Sequence, residues 1–384
     1  MNRCRALLVL NGLFLSTGSA IAAEVYNDKG NVIDIYGQLR GLRYFSDDPA
    51  KNGDNSYYRG GIVGETQIGN QLTGYGKWEF QVQGNSPESD DGNNMWTRLA
   101  YTGIKSEDYG SFDYGRNNGI LFDVRKWAEV MPDFIGETYS KTDNYMTYRA
   151  SGLATYRNEN MFGLVDGLKM GIQYQGANDK TGSGESSSKD IRNENGNGWG
   201  TSLTYDTDWG GSVAAAYSSS DRSNDQYNRG SYDNRIAAGK KADAWALGVK
   251  YDRDNLYLAA SYAETRNMTP YGKYSSSDSS KGGGVAENTQ NIEFVMQYMF
   301  DVGLQPSIAY MTSKGNSVWN TYSQQREDKA LVKFMQFSVS YYFNKNMLAY
   351  VDYKVNLLDA GDDFYRSAGI PTDDVVATGL VYRF

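Results

Sequence analysis

VVATGLVYRF, residues 375–384, is the stretch on which the chain ends. Every second side chain of a β-strand points to the same face, so Leu380, Tyr382 and Phe384 share one face. A terminal strand that ends on an aromatic residue, with no polar tail behind it, is an aggregation hazard in water. The same strand is stable if its apolar face meets lipid and its edge is paired inside a closed barrel. This stretch therefore predicts a membrane β-barrel.

The first 22 residues carry the three parts of a secretion signal. Two arginines lie within the first five residues, residues 6–15 are apolar, and residues 20–22 (AIA) fit a signal peptidase site. The apolar run is too short for a membrane helix. We expect residues 1–22 to be removed, together with Cys4, the only cysteine, leaving residues 23–384 as a barrel domain without disulfides.

Charge and composition exclude several classes of protein. Removal of Arg3 and Arg5 leaves 36 Lys plus Arg against 46 Asp plus Glu, a net charge of −10, which argues against nucleic acid as a partner. The sequence has no histidine, so Ser-His and Cys-His nucleophile systems and His-ligated metal sites are excluded. We expect no catalytic activity and no cofactor, although a carboxylate-only hydrolase or an Asp-built calcium site stays open.

The apolar pattern has a period of two along the chain, as strands require. In residues 76–83, Trp78, Phe80 and Val82 alternate with charged and amide side chains. A half-buried strand of a soluble sandwich gives the same alternation, but here the polar face carries both signs of charge, which suits a water-filled lumen. The 32 Tyr, 7 Trp and 14 Phe fit the aromatic girdles of such a barrel. A solenoid is disfavoured because no fixed-period repeat is visible.

We predict 16 strands, an even number as in bacterial barrels, joined alternately by short turns and long polar loops. The predicted strands are residues 32–45, 57–69, 72–84, 95–105, 109–116, 146–158, 166–176, 198–206, 210–218, 242–252, 255–266, 288–301, 304–314, 330–343, 346–356 and 373–384. The predicted long loops include residues 177–197, 219–241, 267–287, 315–329 and 357–372. The loop of residues 117–145 is more apolar and contains Pro132, so we expect it to pack inside the lumen.

Ordered motifs then point to a family. They include GSFDYGRN (110–117), GLVDGL (163–168) and YYFNKNM (341–347). With these motifs the chain resembles, over residues 1–384, the trimeric general diffusion porins of Gram-negative outer membranes, of the OmpC/OmpF type. The resemblance implies an all-β fold, a 16-stranded antiparallel transmembrane β-barrel that assembles as a homotrimer. It also implies that the third loop, residues 117–145, folds inward and narrows the pore.

The resemblance also implies a set of constriction residues. Acids on the loop face basic residues on the wall, and such charges tune selectivity. The wall positions fall on Arg59, Arg98 and Arg149, and the loop positions on Glu129 and Asp133.

The sequence departs from the family at Gln38, where the common porins carry a lysine. Arg40 points to the same strand face, roughly 7 Å further along, and we predict that it partly replaces the missing charge. Arg125, Lys126 and Glu137 add charges on the loop. Arg125 and Lys126 either contribute positive charge to the pore or are solvated or paired with the loop acids, and the sequence leaves both alternatives open.

Contacts between subunits are implied at two positions. Glu88, in the second loop, falls where the family's latching loop reaches a neighbouring subunit, and Arg116 falls at a position that can receive it. From the sequence alone, Glu88 would be read as an exposed loop charge. The expected location is the Gram-negative outer membrane, with lipid and lipopolysaccharide as surroundings.

These features predict a passive, water-filled pore for small hydrophilic solutes and ions, with a weak cation preference. A second hypothesis is a sugar-specific channel, which requires a run of lumen aromatics such as Tyr36 and Tyr44. A third is a surface adhesin, or a receptor for phage or bacteriocins, that binds through loops such as 219–241 and 267–287.

Overall fold

The computed structural model describes residues 23–89, 94–179 and 190–384. In these residues, 16 long strands form one closed antiparallel barrel, and every strand pairs with its neighbours along the chain. The predicted all-β, 16-stranded barrel is therefore confirmed, whereas the predicted signal, residues 1–22, lies outside the described residues. The barrel strands are β1 (Asn31–Phe45), β2 (Tyr57–Gln67), β3 (Thr73–Gln83), β4 (Met95–Ser106), β5 (Gly110–Asn118), β6 (Arg149–Asn158), β7 (Leu168–Gln175), β8 (Gly198–Asp206), β9 (Gly211–Asp221), β10 (Lys241–Arg253), β11 (Leu256–Arg266), β12 (Asn288–Tyr298), β13 (Leu304–Asn320), β14 (Gln325–Tyr342), β15 (Met347–Asn356) and β16 (Val375–Arg383).

Shorter elements lie at the strand ends and in the loops. None of the helices among the described residues has the length and apolar character of a membrane span. The short strands are Ala23–Asp28, Gly53–Asp54, Pro270–Tyr271 and Gly284–Val285. The helices are α1 (Phe122–Arg125), α2 (Asn224–Gly230) and α3 (Asp363–Ala368), with 3-10 turns at Lys126–Ala128, Met161–Gly163 and Ile191–Asn193.

The barrel closes where the last strand meets the first. β16 pairs with β1 from Arg383 opposite Gln38 to Val376 opposite Phe45. Beyond this ladder, the Gly37 amide donates to the Phe384 carbonyl at 2.9 Å, and the Phe384 amide donates to the Gly37 carbonyl at 3.0 Å. The terminal strand therefore has no free edge, as its sequence predicts.

The outer face of the barrel is apolar. On β16, Leu380 and Tyr382 are 48% and 46% exposed, whereas Val381 between them is 0% exposed. Exposed aromatic pairs lie near opposite ends of the barrel, such as Trp199 with Tyr217 and Tyr298 with Phe300. A wide apolar band bounded by aromatic residues is the surface that a transmembrane barrel presents to lipid.

One predicted loop is wrong. Residues 315–329 were expected to be a polar loop, but β13 runs on to Asn320 and β14 already begins at Gln325, so the hairpin turns only at residues 321–324. This part of the hairpin has polar side chains on both faces, so it lacks the period-two apolar signal by which a strand is recognised. It packs against other loops, since Val318 and Leu331 lie in one apolar cluster with Phe364 of α3.

The segment between β5 and β6 lies inside the barrel. Its side chains Ile120, Leu121, Val124 and Met131 are 0% exposed and share a cluster with inward alanines of β9 to β11. These loop side chains fit inside the barrel because the facing residues of the wall are small. A Cβ atom at Gly248, for example, would lie 2.9 Å from a methyl group of Val124. This internal packing positions the charged side chains described next.

Candidate functional site in the barrel lumen

The tip of the internal loop is held by hydrogen bonds centred on Asp133. The Tyr44 hydroxyl donates to Asp133 Oδ1 at 2.7 Å, and the Tyr350 hydroxyl donates to Oδ2 at 2.9 Å. The backbone takes part as well. The Asp133 amide donates to Asp352 Oδ2 at 3.0 Å, and Gln336 Nε2 donates to the Asp133 carbonyl at 2.8 Å. These partners lie on β1, β14 and β15, so the tip is tied to the wall across the seam of the barrel.

Arg40 lies on the lumen side of β1 and contacts this tip. Its Nη1 donates to the Pro132 carbonyl at 2.9 Å and lies 3.9 Å from Asp133 Oδ2. The guanidinium sits between the rings of Tyr57 and Tyr350, with centroids at 5.4 and 5.6 Å. Cations are attracted to aromatic faces at such distances, so Arg40 is held firmly beside the loop.

Gln38 occupies the position where the family carries a lysine. Its Nε2 donates to the Tyr57 hydroxyl at 3.3 Å. Tyr57 also stacks on Arg59, whose guanidinium lies 5.1 Å from the ring centroid. The side chain of Tyr57 on the lumen wall thus contacts Gln38, Arg40 and Arg59.

Of the three wall arginines that the sequence predicts, Arg59 and Arg149 have no acidic partner among the described residues. Arg59 donates through Nε and Nη2 to Gln81 Oε1, at 3.1 and 2.7 Å. Arg149 lies 4.2 Å from the Tyr148 ring centroid, and its Nη1 donates to that hydroxyl at 3.0 Å. Neither arginine forms an ion pair with a residue in the described part of the chain, so both keep a net positive charge toward the lumen.

Arg98 is compensated by an acid that the sequence analysis did not single out. Arg98 Nε donates to Glu79 Oε1 at 2.7 Å, and the Tyr36 hydroxyl donates to Glu79 Oε2 at 2.8 Å. The pairing of β3 with β4 shifts between Glu79 and Phe80, so Arg98 has no direct cross-strand partner. A bulge of this kind re-aims a side chain, and here it accompanies the contact between Arg98 and Glu79.

The other loop charges are paired close to the wall. Arg125 Nη1 donates to Glu129 Oε1 at 2.5 Å, and Lys126 Nζ lies 4.0 Å from Asp123 Oδ1. Burial lowers the pKa of the Arg125 guanidinium, but the carboxylates of Glu129 and Glu293 outweigh it and raise the pKa above its usual value. In the structure, Arg125 is thus paired with a loop acid and does not add an unpaired positive charge to the pore.

Glu137 lies further along the loop and joins two lysines. Its carboxylate accepts a hydrogen bond from Lys354 Nζ, and its carbonyl accepts one from Lys141 Nζ at 2.9 Å. Lys354 also lies over the Phe334 ring, 4.4 Å from its centroid. Neither lysine could be identified from the sequence, because the contact depends on the path of the loop.

The two residues predicted to lie at a subunit contact have different surroundings within one chain. Glu88 is exposed, whereas Arg116 Nη1 donates to Asp143 Oδ1 at 2.5 Å. Arg116 is thus already paired with an acid of its own chain.

Comparisons with known proteins agree with this architecture. The profile of the family described as Gram-negative porin matches residues 28–384. The chain belongs to the Gram-negative porin family. It is 53% identical to outer membrane protein S2 of Salmonella typhi and 51% identical to outer membrane porin N of Escherichia coli K12, over 100% of both chains in each case. A solved structure of Salmonella typhi OmpF in complex with daunomycin matches with a TM-score of 0.82 and 43% identity, covering 94% of this chain and 100% of that one.

Membership of the porin family establishes location and general function. The chain is an outer-membrane porin, which forms a water-filled channel for general diffusion. Its relatives are channels rather than enzymes. Arg40, Arg59, Arg98, Arg149 and the loop tip at Asp133 lie on the inner side of that barrel.

Proposed function

We propose that small hydrophilic solutes and ions cross passively through a constriction formed by the internal loop and the wall arginines. The constriction comprises Gln38, Arg40, Arg59, Arg98, Arg149, Glu129 and Asp133. The observation that carries this proposal is the fixed loop tip at Asp133, which is tied to three strands inside the lumen. A loop held in this way narrows the pore without closing it, and it presents charges instead of a reactive group.

We further propose a weak cation preference. The chain without its signal has a net charge of −10, which favours cations at the pore mouths. At the constriction, the unpaired Arg59 and Arg149 oppose this preference, while the carboxylate of Asp133 supports it. Because the two effects act in opposite directions, the resulting selectivity is small.

The proposed assembly is a homotrimer surrounded by outer-membrane lipid and lipopolysaccharide. Family membership and the exposure of Glu88 in the second loop support it. In this proposal Glu88 reaches a neighbouring subunit near Arg116. Binding of phage or bacteriocins to the outer loops stays a prediction.

A sugar-specific channel is less well supported by the lumen side chains. The hydroxyl groups of Tyr36 and Tyr44 donate to Glu79 and Asp133, so these rings are held by acids of the constriction. A sugar slide would need freely presented aromatic faces in series.

Liposome swelling distinguishes the two functions. Proteoliposomes are diluted into neutral sugars of increasing size, with protein-free liposomes as the control. For general diffusion we expect the swelling rate to fall smoothly with solute size and to rise linearly with concentration. Rates that saturate with one sugar, and are blocked by that sugar alone, would contradict the proposal.

A further inference from the structure

Away from its tip, the internal loop carries a buried ionic cluster. Arg125 and Glu129 lie four residues apart on the loop, and Arg125 Nη1 donates to Glu129 Oε1 at 2.5 Å. Arg125 Nε lies 3.5 Å from Glu293 Oε1 on β12. The side chains of Arg125, Glu129 and Glu293 are 0%, 3% and 1% exposed. This cluster joins the loop to β12, which is a different strand from the three that hold Asp133.

Hydroxyl groups complete the contacts of Glu293. Thr138, on the returning half of the loop, donates a hydrogen bond to Glu293 Oε1, and Ser261 of β11 donates to Oε2 at 3.3 Å. Glu293 therefore contacts the outgoing half of the loop through Arg125 and the returning half through Thr138. One wall carboxylate connects both halves.

The loop backbone is shaped around this cluster. Gly136 has a φ of +81°, a conformation that favours glycine. A Cβ atom there would lie 3.1 Å from Arg125 Nη2 and 3.2 Å from Glu129 Oε1. The Tyr148 ring, with its centroid 5.7 Å from Arg125 Cζ, lies against the same guanidinium. Close packing on these sides leaves Arg125 no route to solvent.

We propose that Arg125 and Glu293 form a second anchor, which fixes the position of the loop and hence the width of the pore. Neither side chain touches the solute path, so both are positioning residues. Glu129 serves the anchor as the partner of Arg125. The inference rests on the proposed function, in which solutes pass between this loop and the wall.

The physical reason lies in the cost of isolating a buried charge. When one member of a buried ion pair is removed, the other is left uncompensated and seeks water. Here the route to water is displacement of the loop toward the lumen. Loss of Arg125 leaves the carboxylates of Glu129 and Glu293 uncompensated, and loss of Glu293 removes the tie between the loop and β12, so either change should loosen the loop. Replacing all three charged residues by neutral ones leaves no uncompensated charge and should disturb the loop less than loss of Arg125 alone.

The test uses the full-length porin reconstituted in planar bilayers. The variants are Glu293→Gln, Arg125→Met, the triple variant Arg125→Met/Glu129→Gln/Glu293→Leu and the mild variant Thr138→Val. Glu264→Gln is the matched control, because Glu264 lies on the neighbouring strand β11 and accepts a hydrogen bond from Tyr262, away from the loop. Folding is verified for each variant by heat-modifiable mobility in gels, and open-channel current noise and the size dependence of liposome swelling are then recorded.

We expect each single anchor variant to raise the open-channel noise severalfold and to alter the size dependence, with a smaller rise for Thr138→Val. The triple variant should change less than Arg125→Met alone. Wild-type noise and size dependence in folded Glu293→Gln, Arg125→Met and Thr138→Val would overturn the anchor, even if all of them conduct. Absence of conductance in the wild-type protein would instead overturn the proposed function.

Discussion

Arg98 and Glu79 lie on adjacent strands, and their side chains meet inside the barrel with a distance of 2.7 Å between Arg98 Nε and Glu79 Oε1. Glu79 is also held by the Tyr36 hydroxyl at 2.8 Å. One of the three predicted wall arginines is thus compensated by a neighbouring strand. The positive field of the wall depends mainly on the other two, Arg59 and Arg149.

Substitution of Glu79 tests this charge balance. In Glu79→Gln the amide keeps the size of the side chain but leaves the positive charge of Arg98 uncompensated. We expect the reversal potential under a salt gradient to shift toward anions. Glu264→Gln, on the outer side of the wall, should leave it unchanged. Equal shifts in both variants would show that Glu79 has no special place in the pore.

Asp133→Asn tests the acid at the loop tip. The amide oxygen can accept a hydrogen bond from one of the two tyrosine hydroxyls, and the amide nitrogen can donate to the oxygen of the other, so the tip should stay in place. Loss of the negative charge leaves Arg40 without its acidic partner at 3.9 Å. We expect weaker cation preference with nearly unchanged conductance, measured in planar bilayers. An unchanged or stronger cation preference would rule out a role for Asp133 in selectivity.

The ionisation of Lys141 should make the cation preference of the pore depend on pH. Burial, together with the nearby charges of Arg125 and Lys354, lowers the pKa of its ammonium group to about 8 against the opposing effect of Glu137. Below pH 8 the group is charged and above it the group is neutral, so a change from pH 7 to pH 9 removes a positive charge from the lumen. We expect the cation preference to rise over this range. The same rise in Lys141→Met would exclude Lys141 as its source.

The closing seam should be sensitive to side-chain volume at Gly37. A Cβ atom at Gly37 would lie 2.7 Å from the Phe384 ring, whereas one at Gly64 would meet nothing within 4 Å. Overpacking costs about 1–3 kcal/mol. We expect Gly37→Val to lower the free energy of unfolding by this amount, measured by urea unfolding in vesicles with tryptophan fluorescence. Equal losses in Gly37→Val and the control Gly64→Val would contradict a specific contact at the seam.

The proposed trimer contact predicts a role for Glu88. Glu88→Ala should lower the temperature at which the oligomer dissociates in detergent, because an exposed loop charge loses its partner on the neighbouring subunit. Glu107→Ala, in a short turn between β4 and β5, serves as the control. Heated samples on native gels report the transition. Identical dissociation temperatures for the wild type and Glu88→Ala would remove Glu88 from the subunit contact.

The sequence allowed the strands to be predicted wherever lipid imposes an apolar alternation, as on β16 with Leu380 and Tyr382. The prediction failed for residues 315–329, which form a hairpin with no apolar face. The partner of Arg98 could not be foreseen either, because it depends on a register shift between Glu79 and Phe80. The contact of Arg125 with Glu293 joins residues far apart in the chain, and only the inward path of the loop brings them together.

An open, water-filled pore with a charged constriction should conduct ions across a membrane. The most direct test is to record purified protein in a planar lipid bilayer under a salt gradient. We predict large ohmic current steps that arrive and close in groups of three, with a reversal potential slightly on the cation side. Well-folded protein that gives no conductance would contradict the account.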